Sequence, residues 1–213
     1  MKILVICDDK YHHEEVIKPG LEFLQNENSV TYAADMSGYS FDSKPLSEYD
    51  VVITAKDKNI SKSNEESWLG EDVIKQYEDY ANGGGGLIFL HAGSVLCKHS
   101  EILKNISGCS FESHPEQCEV DFCITSAHPI VSGAVDFTEK DEHYFIDFTA
   151  SDADIFLKSR SNHGIQPAGY TRLHNGKGRV CVLTPGHNLS VFNNEQYKKI
   201  IKNAVDWCGG KIN

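Results

Sequence analysis

The sequence predicts a doubly wound α/β domain, a mostly parallel sheet with helices on both faces and an antiparallel extension. Three observations predict it. Short apolar, β-branched runs alternate with helix-patterned segments through the first half. Residues from about 110 to 175 then hold a series of short strand-like runs with no helical pattern between them. A last strand and helix return the chain to the parallel sheet.

Taken in order, residues 3–7 (ILVIC) form an apolar run of the length of a buried parallel strand, and 14–25 is the helix that follows. Residues 30–34 and 51–54 are the next two strands. Residues 65–82 read as one long helix, stopped by the glycine block 83–86. Residues 87–90 form a strongly apolar strand, and 94–106 a helix after it. The second half supplies strands at 117–125, 143–148, 155–159, 168–173 and 180–183, then a closing helix at 194–207. No linker, repeat or low-complexity tract interrupts this order. At roughly 100–200 residues per domain, residues 1–213 make one domain.

Composition narrows the partners. Acidic residues outnumber basic ones, 31 to 20, for a net charge of −11 and no basic run, which argues against nucleic acid. No run of about 18 apolar residues exists, so no membrane span is expected. The first residues lack the small-residue cleavage site of a signal peptide. The seven cysteines are odd in number and include no CxxC pair; Cys7 and Cys181 lie inside apolar strands. Buried free thiols fit this pattern better than a disulfide framework or a zinc site on Cys118 and Cys123. A cytoplasmic protein with a small polar ligand is the expectation, and a homo-oligomer is compatible with it.

In an open parallel sheet, ligands bind outside the carboxyl ends of the strands. Three of the strand ends carry histidine: Asp8, Asp9, Tyr11, His12 and His13 after the first, His91 after 87–90, and His187 after 180–183. One such histidine is an ordinary packing residue, but three on one edge suggest a site. Asp141, Glu142, His143 and Tyr144 open a later apolar strand. They either cap it or bring a carboxylate to the same edge. Imidazoles with a carboxylate suit acid–base work near neutral pH, and equally a divalent metal such as zinc. Elsewhere, GGGGL lacks the Lys-Ser/Thr of a phosphate loop and precedes its strand, and no GxSxG elbow is present. His114-Pro115 and His128-Pro129 read as loop signals.

These pieces together resemble the ThuA-like (trehalose-utilisation) family of the class I glutamine amidotransferase-like superfamily. The resemblance runs through KILVICDDKYHHE, GGGLIFLHAGS, SFESHP, AHPIVSG, DFTEKDEHYF, YTRLHNGKGRVCVLTPGHN and IKNAVDW, nearly the whole chain. It implies a flavodoxin-like sheet. Active amidotransferases carry a cysteine at the sharp strand-to-helix turn, two residues before a glycine. Here that position is His91, so the resemblance implies no glutaminase activity, since a thiolate must attack the amide. The family's late histidine matches His187, its His-Glu pair aligns with His13-Glu14 and leaves His12 as the extra residue, and its Asp-Glu-x-Tyr segment aligns with Asp141 to Tyr144.

Family members are linked to disaccharide use through 3-keto sugars. The resemblance therefore implies an isomerase, lyase or hydrolase for keto-disaccharides or keto-glycosides. Its catalytic groups would be His91, His187 and Glu142, its substrate-binding groups His13, His12, Tyr144 and Asp8. Tyr144, Trp68 or Tyr170 could stack on a sugar ring. The competing readings are a non-catalytic ligand-binding or regulatory protein that kept the fold after losing the cysteine, and a subunit that assists a sugar dehydrogenase.

Overall fold

Strand β1 (Lys2–Ile6) lies inside a nine-stranded sheet, flanked in parallel by β2 (Ser29–Ala33) and β3 (Val51–Thr54). A computed structural model describes residues 1–213. Both faces of β1 are buried, so every residue from Ile3 to Ile6 is apolar: Ile3 and Val5 join one hydrophobic cluster, Leu4 and Ile6 another. The first cluster includes α1 (Glu14–Leu21), the second α2 (Glu71–Asn82). The sheet is thus wound on both sides.

The hairpin of β4 (Asn59–Ser61) and β5 (Asn64–Ser67) precedes α2. It corrects the expected helix at 65–82, which starts only at Glu71. The glutamates of NEES favour helix in isolation, but pairing with β4 decides their conformation. Strand β6 (Gly86–Leu90) pairs in parallel with β3. The expected helix 94–106 divides into α3 (Gly93–Leu96), a 3₁₀ turn and α4 (Glu101–Ser107), because the Ser100 side chain caps α4 by accepting from the Leu103 amide.

Besides β4, two further strands lie outside the expected pattern. Strand β7 (Cys109–Ser113) pairs with β10 (Phe145–Phe148) as a separate two-stranded sheet, and β9 (Phe137–Asp141) follows β8 (Cys118–Ile124). The hairpin of β11 (Asp154–Ser161) and β12 (Gly164–His174) leads to β13 (Gly178–Leu183). The main sheet runs β2-β1-β3-β6-β13-β12-β11-β8-β9, parallel through β13 and antiparallel beyond it. Helices α5 (Leu189–Asn193) and α6 (Glu195–Cys208) close the chain. Helix α6 buries Tyr197, Ile200, Ile201, Ala204, Val205 and Cys208, one stripe at helical spacing. No helix is long and apolar enough to cross a membrane.

Lys56, just past β3, is fully buried, and its ammonium donates to the carbonyls of Ala34 and Ile60. Burial pulls its pKa down to about 8, against the opposing charges of Asp9 and Asp8. The unfolded amine titrates near 10.4, so from pH ~8 to ~10.4 the unfolded chain holds the extra proton and stability rises with pH. Relative to Lys56→Met, the wild type should therefore gain on the order of 3 kcal/mol across that window. Denaturant melts of both proteins at several pH values check it. A pH-independent difference would refute the buried-ammonium account.

Candidate functional site

The carboxyl edge of the parallel strands is assembled by residues that turn the chain sharply. After β1, Asp8 adopts φ +73°. Its carboxylate accepts from the Glu14 amide at the start of α1 and from the Lys62 amide of the β4–β5 turn. Asp8 therefore ties loop to helix and does not face the other candidates. Asp9 does the orienting. Its buried carboxylate accepts from the amides of Tyr11, His12 and Asp57 and takes the His12 Nδ1–H at 3.0 Å. Burial works to raise the Asp9 pKa, but the His12 hydrogen bond and these amides outweigh it and hold it at about 2. His12 Nε2 is left to face inward, 3.3 Å from the Tyr144 hydroxyl.

His91 sits on the β6-to-α3 turn at φ +46°, a strained value for a residue with a Cβ. The Leu183 carbonyl accepts its amide at 2.7 Å, and the Thr184 carbonyl accepts its Nδ1–H at 2.7 Å. A carbonyl only accepts, so this bond fixes the ring with its proton on Nδ1 and a bare Nε2. That Nε2 is buried without a hydrogen bond, 3.4 Å from Glu142 Oε2. The Tyr144 ring stacks on His91 at 4.1 Å between centroids.

His187 follows β13 through Gly186, whose φ of +139° excludes other residues. The Asp141 carboxylate, at the end of β9, accepts from the Gly186 and His187 amides at 2.8 and 3.0 Å. The chain from β9 to β10 crosses the sheet edge here and delivers Glu142. Its Oε2 lies 3.2 Å from His187 Nδ1 and its Oε1 3.5 Å from His114 Nε2.

The rings of His12, His91 and His187 stand 4.9, 5.3 and 5.7 Å apart, pair by pair. Side-chain exposure rises from 1% at His91 and 10% at Glu142 to 21% at His187 and 36% at His114. The cluster is therefore open to solvent on the side of His114 and His187. A surface recess lined by Asp50, Lys75, Tyr80 and Gly84 among others lies at the opposite end of the parallel strands. It brings none of these histidines together.

Charges set the protonation states. Burial lowers the His91 pKa against the pull of Glu142, so this ring stays neutral. The Glu142 carboxylate 3.2 Å away raises that of His187, more than burial lowers it. Burial also acts to raise the Glu142 carboxyl, but the adjacent His187 and His91 imidazoles hold it well below the usual range.

The structure thus brings together His12, His91, Glu142, His187 and Tyr144. His13 is corrected: it is exposed and its Nε2 meets the Lys10 carbonyl, because the Asp9 bonds turn its neighbour His12 inward instead. Asp8 is corrected as described, its carboxylate being spent on backbone amides. Trp68 and Tyr170 are core residues, their polar atoms donating to the carbonyls of Asp57 and Ser107. His114 also borders the cluster, although its sequence context signals only a loop, since nothing local in ESHP distinguishes a site from a turn. The orienting role of Asp9 had a readable signal, an aspartate three residues before a histidine in a turn. No cysteine joins the cluster. All seven are free, and burial raises the thiol pKa of Cys7 to about 12 and of Cys109 to about 11.

Comparison with known proteins places the chain. Structures described as ThuA-like proteins match it from Parabacteroides merdae (TM-score 0.80, 16% identity, 99% of this chain and 90% of that one) and from Bacteroides uniformis (0.74, 18%, 98% and 91%). A glutamine amidotransferase from Thermotoga maritima shares the fold at TM-score 0.64 and 11% identity, with 98% of each chain covered. No curated protein matches. The profile of the ThuA family, described as trehalose utilisation, matches residues 2–208, and the chain belongs to that family.

Proposed function

We propose that this protein processes a small carbohydrate, a 3-keto-disaccharide or 3-keto-glycoside, by acid–base chemistry at His91, Glu142 and His187, as an isomerase, lyase or hydrolase. The single observation that carries this reading is that His91 Nε2 and His187 Nδ1 reach the same oxygen of Glu142, at 3.4 and 3.2 Å, the first fully buried and the second partly open, settings that push them toward neutral and toward protonated. Titratable groups pushed apart in this way divide into a base and an acid. A ketone at C3 acidifies the neighbouring C–H. A neutral imidazole can take that proton while an imidazolium holds the developing enolate oxygen. Family membership supports a carbohydrate as the substrate. The narrow, mostly buried cluster admits the reacting end of the sugar, with the rest outside past His114.

Glutamine hydrolysis is no part of this reading, since the elbow position holds an imidazole. The test is solvent exchange in D₂O, with 3-keto-trehalose as substrate and proton NMR as the readout. The expected result is protein-dependent loss of the C–H signal beside the ketone, with or without further product. Saturable binding with neither exchange nor product would move the protein to the ligand-binding reading.

A further inference from the structure

We infer that His12, His91, His187 and Glu142 form a binding site for one divalent first-row transition ion, zinc foremost. The inference rests on the reading above that this cluster is where the substrate reacts, and it sharpens what the imidazoles do there.

Geometry comes first. Taking one donor atom from each residue, all four donors lie within 4.8 Å of one another. Bonds of about 2.1 Å put the ligands of a tetrahedral ion ~3.4 Å apart and those on opposite sides of an ion ~4.2 Å apart, so the widest pair must draw in by roughly 1 Å to complete a coordination shell. The rings reach this point from the ends of β1, β6 and β13, three strands of the parallel run β1-β3-β6-β13, and Glu142 crosses over from β9.

Hydrogen bonding supplies the second argument. His12 and His91 each commit Nδ1–H to an outer acceptor, the Asp9 carboxylate and the Thr184 carbonyl. Each then turns a lone pair on Nε2 inward. An imidazole held from behind by a carboxylate or a backbone carbonyl is the usual arrangement of a metal-binding histidine. His91 Nε2 and His187 Nδ1 are buried with no hydrogen-bond partner, and the Tyr144 hydroxyl reaches only His12. Two bare imidazole nitrogens and a carboxylate therefore converge on one point, and His187 joins them by giving up its proton as an ion binds. A cation satisfies all of them at once.

Donor chemistry selects the ion. Three imidazoles and one carboxylate suit zinc, cobalt, iron or manganese, whereas calcium and magnesium favour oxygen alone. A bound ion supplies the electrophile for a ketone oxygen.

The test uses the full chain, stripped with a chelator and titrated with Zn²⁺ and with Co²⁺ by calorimetry, the cobalt form also by visible absorption. One equivalent per chain is expected, with cobalt bands showing nitrogen ligation. Glu142→Gln, nearly isosteric and so least disturbing to the fold, should weaken binding at least ~100-fold, and so should His91→Ala. Asp9→Asn, one bond further out, should weaken it about 10–100-fold. His163→Ala, a surface histidine, should change nothing. Thermal melts of each variant establish that it is folded. No stoichiometric binding by the wild type, or equal binding by wild type and Glu142→Gln, would overturn the inference. Failure of the two readings is distinguishable. Sugar exchange without metal binding leaves the acid–base account and sinks this one. Metal binding without sugar exchange does the reverse.

Discussion

Replacing His91 or His187 with alanine should each lower the rate of exchange or turnover of the keto sugar by about 100-fold or more, the usual loss for a missing acid or base. The loss should fall mainly on kcat, because both side chains act on the reacting end of the sugar. His187 is the cleaner probe. It lies on a loop and is partly open, so its removal should leave the melting temperature close to wild type. His91 also carries the stacked Tyr144 ring, and some stability should go with it. The pH profile separates the two rings further. Loss of His187 should remove the limb on the alkaline side, since the acid is the group whose pKa Glu142 raises. Two variants within about fivefold of wild-type rate would end the acid–base assignment, given that one such group is worth 10²–10⁴-fold.

The second large effect concerns the turn that presents His91. A Cβ at Gly93 would stand 2.2 Å from the Thr54 carbonyl oxygen, far inside contact distance. That carbonyl cannot swing aside, because β3 is held in register between β1 and β6. Gly93→Ala should therefore cost about 3 kcal/mol, the upper part of the range for overpacking a rigid interior. Gly38→Ala, with nothing within 4 Å of the added carbon, should stay within ~0.5 kcal/mol. Urea denaturation midpoints of the two variants make the comparison. An unaffected Gly93→Ala protein would mean that the β6-to-α3 turn is looser than its contacts show.

His91 and His187 were legible in the sequence because each follows a strongly apolar strand, and parallel strand ends share one edge. The same local logic read β1, β3, β6 and β13, whose burial on both faces demands unbroken apolar runs. Where local preference and pairing disagreed, it failed. The segment around Glu65 has helix-forming residues but lies in a hairpin, and β7 has its partner β10 more than thirty residues away.

The choice between His12 and His13 was beyond any pattern. Both occupy one loop, and alternation in a loop carries no facing. The Asp9 carboxylate, itself pinned by the Asp57 amide from 48 residues away, turns His12 inward. Glu142 is a similar case. Its neighbour Asp141 clamps amides 45 and 46 residues further on, and that clamp brings carboxylate and His187 face to face. By itself the sequence determined the doubly wound sheet and the edge on which the histidines gather, because the period of burial is written residue by residue. Only the tertiary structure decided which imidazole faces inward, which nitrogen is bare and which carboxylate meets it, because those follow from hydrogen bonds to partners distant along the chain.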